Sequence, residues 1–258
     1  MIRRILCTTF ALVAATAVAV QADPKDDVTA GVQKLADAAN YSWTTTRTTA
    51  RGTNTQTGKT EKDGYTSLSL TFGDNTTEIL MKGGKVAIKG DSGWQTPDEI
   101  AAADQANGGG GGGFNPATMM ARMAQTFKSP ADTLKGDVDT YQNIQKTDDG
   151  YTADMTDDQI KQAMTFGGRR GGGGGGGGAA AGANGGGAPP EMTVTNGKGT
   201  VKIWITDGAV SKYEVHVTGT VSFNGNDRDV DNTTTTEISA VGSTTVDVPD
   251  DAKAKLNG

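Results

Sequence analysis

The chain has 258 residues with 38 glycines and as many threonines, yet only 34% of positions are apolar and 5% aromatic, so its core must be thin. The 24 basic and 30 acidic residues give a net charge of −6. That balance argues against nucleic-acid binding, which needs a basic footprint to neutralise phosphates, and one histidine and one cysteine leave little material for catalytic or metal-ligating constellations.

Residues 1–22 read as an export signal. Arg3 and Arg4 form a positive n-region, residues 10–20 (FALVAATAVAV) a short apolar run, and Val20-Gln21-Ala22 puts small residues at the −3 and −1 positions. Cleavage after Ala22 and a periplasmic or secreted location are expected. The apolar run is shorter than the ~20 residues of a spanning helix, and no later segment approaches that length, so no membrane span is expected after cleavage. Cys7 comes too early in this leader to follow a usable apolar region as a lipid-anchor cysteine. Without the leader the balance is 22 basic to 30 acidic residues, net −8, and no disulfide can form.

Asp26 to Asn40 spaces Val28, Val32, Leu35 and Ala39 on one helical face, with acids in the first turn. From Tyr41 to Thr96 the period falls to two: Tyr41 and Trp43, then Leu68, Leu70 and Phe72, then Val86 and Ile88 alternate with polar partners. Glycine-bearing turns at 73–75, 83–84 and 90–91 separate these runs, which predicts an antiparallel meander.

The block 97–166 is mostly helical, with helices starting near Pro97, Pro116 and Pro130, a hairpin turning at 148–150, and a helix after a Thr156 cap. Polyglycine at 108–113 and the glycine-rich stretch 167–187 cannot recover their backbone entropy by burying side chains, so both are expected to be disordered loops. Arg169 and Arg170 read as solubilising charge in the second. Strands return over 191–248: Val201, Ile203 and Ile205 share one face, Asp207-Gly208 turns the chain, and Tyr213, Val215, Val217, Val221 and Phe223 share the next. Thr244 to Val248 reads as a closing strand, ended by Pro249.

Neither strand block has the apolar content to close its own sandwich. Joining both gives an α+β, mainly β domain over 23–258: a single curved antiparallel sheet, or half-barrel, with helices packed on its concave face. At this point the chain resembles the LolA-like periplasmic lipoprotein-carrier fold. GGKVAIKGDSGWQT (83–96), KIWITDGAVSKYEVHVTG (202–219) and VDVPDDA (246–252) are similar to segments of the mycobacterial LprG-like lipoproteins. The resemblance implies an exported half-barrel whose concavity holds a lipid, lipoprotein or other apolar cargo.

The apolar cavity candidates are Leu68, Leu70, Phe72, Ile203 and Ile205 on the sheet, with Val201, and Met119, Met120, Met123 and Phe127 on the 115–127 helix. Polyglycine before that helix would let it move as a lid. Three methionines can also bind Cu(I), but flexible core filler is the favoured reading, so no metal or other cofactor is assigned. His216 falls on the polar face of its strand with Lys212, Glu214 and Thr218, away from any nucleophile motif. Asp227, Asp229 and Asp231 open like a calcium loop, but Asn232 and Ile238 stand where that loop needs glycine and glutamate, which leaves a charged hairpin. Adjacent acids, Asp98 with Glu99 and Asp157 with Asp158, face different directions on a helix. The expected function is that of an exported, non-catalytic cell-envelope protein binding an apolar ligand. The alternative is a secreted structural or adhesion protein with a filled core.

Overall fold

The computed structural model describes residues 23–72, 75–106, 116–165, 192–223 and 225–257. The expected export leader with Cys7, both glycine-rich stretches and the arginine pair at 169–170 lie outside these residues, as do the side chains of Phe72 and Met119.

Asp23 caps the first helix, α1 (Pro24–Ala36), by accepting the Lys25 backbone N–H at 2.9 Å. Asp26 and Asp27 lie in its first turn and Lys34 in its last, each sign matching the helix dipole. Val28, Val32 and Leu35 are fully buried. The helix stops before Ala39, which is exposed, because the chain must turn at once into the first strand.

Two meanders build the sheet. The first runs through β1 (Asn40–Thr49), β2 (Gly52–Glu61), β3 (Thr66–Phe72), β4 (Asn75–Lys82), β5 (Lys85–Gly90) and β6 (Gly93–Gln95). The helical block follows: α2 (Pro97–Ala106), α3 (Pro116–Gln125), α4 (Pro130–Asp137), the hairpin β7 (Gln142–Lys146) and β8 (Tyr151–Asp154), and α5 (Asp157–Thr165). Last come β9 (Met192–Thr206), β10 (Ala209–Phe223), β11 (Asn226–Ser239) and α6 (Asp250–Asn257). All neighbours pair antiparallel in the order β6-β5-β4-β3-β2-β1-β11-β10-β9-β8-β7, so one curved sheet of 11 strands results and its two edges stay apart. β1 and β11 join the meanders, with Trp43 opposite Ile238 and Thr45 opposite Thr236. The Asp207-Gly208 turn has both residues at positive φ, 53° and 77°, the geometry that two-residue hairpins favour.

Period-two alternation sorts residues between the faces. On β1, Tyr41 and Trp43 are buried on the concave side while Ser42, Thr44 and Thr46 face the other way. Helices α1, α3, α4 and α5 lie on the concave side, where Leu68, Leu70, Ile79, Ile88, Val201 and Ile203 join α1, Met120 and Leu134 in the main core. Both α2 and α5 start with reciprocal caps: Thr96 N–H donates to Glu99 at 2.9 Å, and Thr156 N–H to Gln159 at 2.9 Å. Under α5, Gly197 and Gly199 leave bare backbone, so Ile160 and Met164 seat directly on the sheet.

Two expectations need correction. Residues 244–248 are not a strand; they cross the rim as an extended segment, anchored where Glu61 accepts the Val246 N–H at 2.8 Å. They lead α6 to the convex face, where Val248, Ala252 and Leu256 cover Leu80, Ala87 and Trp94. Not every helix is therefore concave. Leu80 and Ala87 are apolar on the outward phase of β4 and β5, and that face needed its own cover.

Candidate functional site

Most of the concavity is filled. Trp43 is 2% exposed; its indole lies over Gly58, where any side chain would collide with it, and Phe127 stacks on it at 6.0 Å between centroids and 12° between planes. Tyr41 leans on the same indole at 5.7 Å. Towards β9 and β10 the space is taken by α1, whose Gly31 lets the helix approach Ile205 closely.

Among the described residues a cleft is open beside this plug. It has a volume of about 470 Å³ and sits between the ends of α1 and α3, the start of α4, and the β2–β3 and β4–β5 turns. Tyr41, Met81, Val86 and Phe127 make its apolar floor, with small Ala38 and Ala124 at the sides. Its size is at the lower end of small-molecule sites, roughly 300–1,000 Å³. The floor is rigid for identifiable reasons: Phe127 is stacked on Trp43, and the Tyr41 hydroxyl accepts the Ala131 N–H at 3.3 Å. Burial pushes the Tyr41 phenol up, so it stays neutral.

The rim is polar, and several of its charges have structural partners. Lys62 pairs with Asp37 at 3.3 Å, and Gln33 with Lys62 holds the Asp37 carboxyl below the usual range. The Lys82 ammonium lies 4.4 Å from the Tyr65 ring centre, a cation–π contact. Asp132 accepts the Ser129 hydroxyl at 2.7 Å at the start of α4. Such a site can hold an apolar guest and meet its polar end at the mouth, while Lys62, Lys82 and Asp132 serve the fold.

The structure places the predicted cavity residues differently. Leu68, Leu70, Ile203 and Met120 are buried in the core, and Met123 and Ile205 are half-buried against it. Of the set, Phe127 lines the cleft. The buried face of α3 is built on Met120, Ala121 and Ala124, and α3 lies over β5 and beside α2, while α1 covers β9 and β10. The reason is local: the Trp43–Phe127 stack and α1 fill the space through which α3 would have reached Ile203. Tyr41, Met81 and Val86 were not foreseen as cleft residues. Their signal was present in the alternation that brings each to the inward phase beside a turn.

The other candidates are on the surface. His216 Nε2 lies 2.9 Å from Asp231 on the convex face, where Thr220 bonds Asp229 at 3.0 Å and Ser222 bonds Asp227. Glu99 pairs with Lys255 at 2.5 Å, tying α2 to α6, and this contact lowers its carboxyl. Asp157 and Asp158 edge a polar hollow of about 410 Å³ at the start of α5. Trp204 carries the Lys212 ammonium 4.9 Å from its ring centre. Among the described residues no helix is long and apolar enough to cross a membrane.

No family model matches the chain, and no curated protein matches it. Among solved structures it is similar to the crystal structure of LprF from Mycobacterium bovis, with 7% sequence identity, a TM-score of 0.38, and coverage of 86% of this chain and 94% of that one.

Proposed function

We propose that the chain is an exported, non-catalytic cell-envelope protein that holds one apolar chain, such as the acyl chain of a lipid or lipoprotein, in the cleft floored by Tyr41, Met81, Val86 and Phe127. The cleft itself carries this reading: half-buried Met81 and Phe127 meet solvent over buried Tyr41 and Val86, beside a packed core. The residues 1–22 pattern supports export. The engagement of Lys62, Asp37, Asp132 and Glu61 in structural contacts supports binding without chemistry.

Burying ten methylenes contributes about 8 kcal/mol, which sets a micromolar ceiling from which the cost of association is subtracted, so binding weaker than micromolar is expected. The test is titration of the full chain with a fluorescent fatty acid, beside Ala38→Trp, which puts a large ring into the cleft from a half-buried position. Saturable one-site binding by the wild type, lost in Ala38→Trp at unchanged melting temperature, is the expected result. Equal binding by both proteins would show that the ligand does not sit in the cleft.

A second reading, a structural or adhesion protein, is favoured by the Trp43–Phe127 plug, which fills the middle of the concavity. It predicts no saturable binding at all.

A further inference from the structure

The end of the concave face remote from the cleft is polar, and its charges are of one sign. Arg47 stands six positions along β1 from Tyr41, about 20 Å away in an extended strand. Its cross-strand partners are Thr234 on β11 and Asn54 on β2. Alternation on β11 sends Asp227, Asp229 and Asp231 to the convex face, where Ser222, Thr220 and His216 engage them. It leaves Arg228, Val230, Asn232 and Thr234 on the concave face. Around Arg47 the same period brings Thr45, Thr49, Asn54 and Gln56 to that face, so the register places no carboxylate there among the described residues.

The guanidinium is only partly satisfied. With the Asn232 amide oriented to suit its neighbours, its oxygen accepts from Arg47 Nη2 at 3.2 Å. Arg47 Nε is shielded from solvent and has no hydrogen-bond partner among the described residues. Burial, and then the charge of nearby Arg228, both work against the ionised form. Arginine nevertheless stays charged in proteins. A desolvated cation beside a like charge weakens a fold unless something compensates, and such unfavourable groups persist where a ligand supplies the missing partner.

We propose that Arg47, with Arg228, forms an anion site at this end of the concave face, one that takes a phosphate or carboxylate group. The planar guanidinium presents its donors in a fork that fits either oxyanion, and Nε is the donor still awaiting an acceptor. Arg228, exposed on the same face, supplies the second charge and the route of entry. The site does not depend on the cleft, which lies at the opposite rim.

Calorimetric titration of the full chain with inorganic phosphate, dodecyl phosphate and the neutral-headed dodecyl maltoside tests the assignment. Dodecyl phosphate is expected to bind. Arg47→Met should weaken it at least tenfold without lowering the melting temperature, since the variant removes a charge that the fold does not pair. Arg228→Gln, at an exposed position, should weaken it several-fold and serves if Arg47→Met does not fold. Ala38→Trp should remove the cleft's own uptake of the dodecyl chain while leaving inorganic phosphate binding and the arginine-dependent part of dodecyl phosphate binding unchanged. Comparable binding of inorganic phosphate identifies a free anion as the ligand, whereas binding of dodecyl phosphate alone identifies a headgroup. Failure of both phosphates to bind, or equal affinity in wild type, Arg47→Met and Arg228→Gln, overturns the proposal. Loss of dodecyl phosphate binding in Ala38→Trp but not in the arginine variants also overturns it, and leaves the cleft standing.

Discussion

Gly58→Ala is the smallest change that tests how the concavity is plugged. A Cβ at this position would collide with Trp43 Cζ2 and stand 2.5 Å from Cε2 and 2.6 Å from Cη2, well inside contact distance. The indole cannot slide away freely, because Phe127 is stacked on it and Tyr41 touches it from the side. Overpacking of this kind costs roughly 1–3 kcal/mol, and replacing a strand glycine returns about 0.5–1 kcal/mol of chain entropy. The expected net loss is about 1 kcal/mol, or roughly 2–4 °C in melting temperature for a domain of this size. Differential scanning calorimetry reads the shift, and the emission of Trp43 reports whether the ring moves. The double variant Trp43→Phe/Gly58→Ala should be less destabilised than the sum of its single variants, because the smaller ring vacates the contested space. A Gly58→Ala protein with wild-type melting temperature and emission would refute the placement of Trp43 on Gly58, and with it the position of Phe127 in the cleft floor.

Leu256→Ala should cost about 2–3 kcal/mol in urea denaturation, because Leu256 is buried against the convex cluster of Leu80, Ala87 and Trp94; a loss below 0.5 kcal/mol would mean that α6 does not dock there. Burial pushes the Tyr213 phenol up to about 12, so the fold favours its neutral form. That stabilisation is complete below the ordinary pKa of about 10 and is lost as pH rises through about 12; Tyr213→Phe should move the alkaline unfolding transition, followed by circular dichroism, to higher pH. Gly199→Val would put a Cβ 2.7 Å from Ile160 and 2.8 Å from the Met155 sulfur, so α5 should lift and its amides at 157–165 should exchange faster with solvent, whereas unchanged protection would contradict the seating of α5 on bare backbone.

The architecture was legible because sheet and helix periods differ. Tyr41-x-Trp43, Leu68-x-Leu70 and Val201-x-Ile203 each mark an inward face, and Asp207-Gly208 fixes a hairpin register. The joining of two meanders followed from apolar economy, since neither could bury its stripe alone. The position of the open space was harder to read. Whether a stripe lines a cavity or a packed core depends on what lies opposite, and the three-way stack of Gly58, Trp43 and Phe127 joins residues 69 positions apart between Gly58 and Phe127. Sequence spacing treats Met120 and Met123 as one apolar stripe; α3 turns Met120 into the core together with Ala121 and Ala124, with Met123 half-buried against it. The convex docking of α6 was hidden for a related reason: Leu80 and Ala87 look like noise in an alternating strand until the chain end that covers them is in place. Arg47 carried no sequence signal, because a lone arginine among threonines reads as solubilising until its register shows which face it occupies.

Whether the cleft holds an acyl chain can be measured directly. Native mass spectrometry of the full chain, purified without detergent and mixed with palmitate, measures this in one experiment. One bound palmitate per chain is expected for the wild type, and none for Ala38→Trp at the same concentration. A spectrum of unliganded protein for both, or an equal palmitate adduct on both, would contradict it.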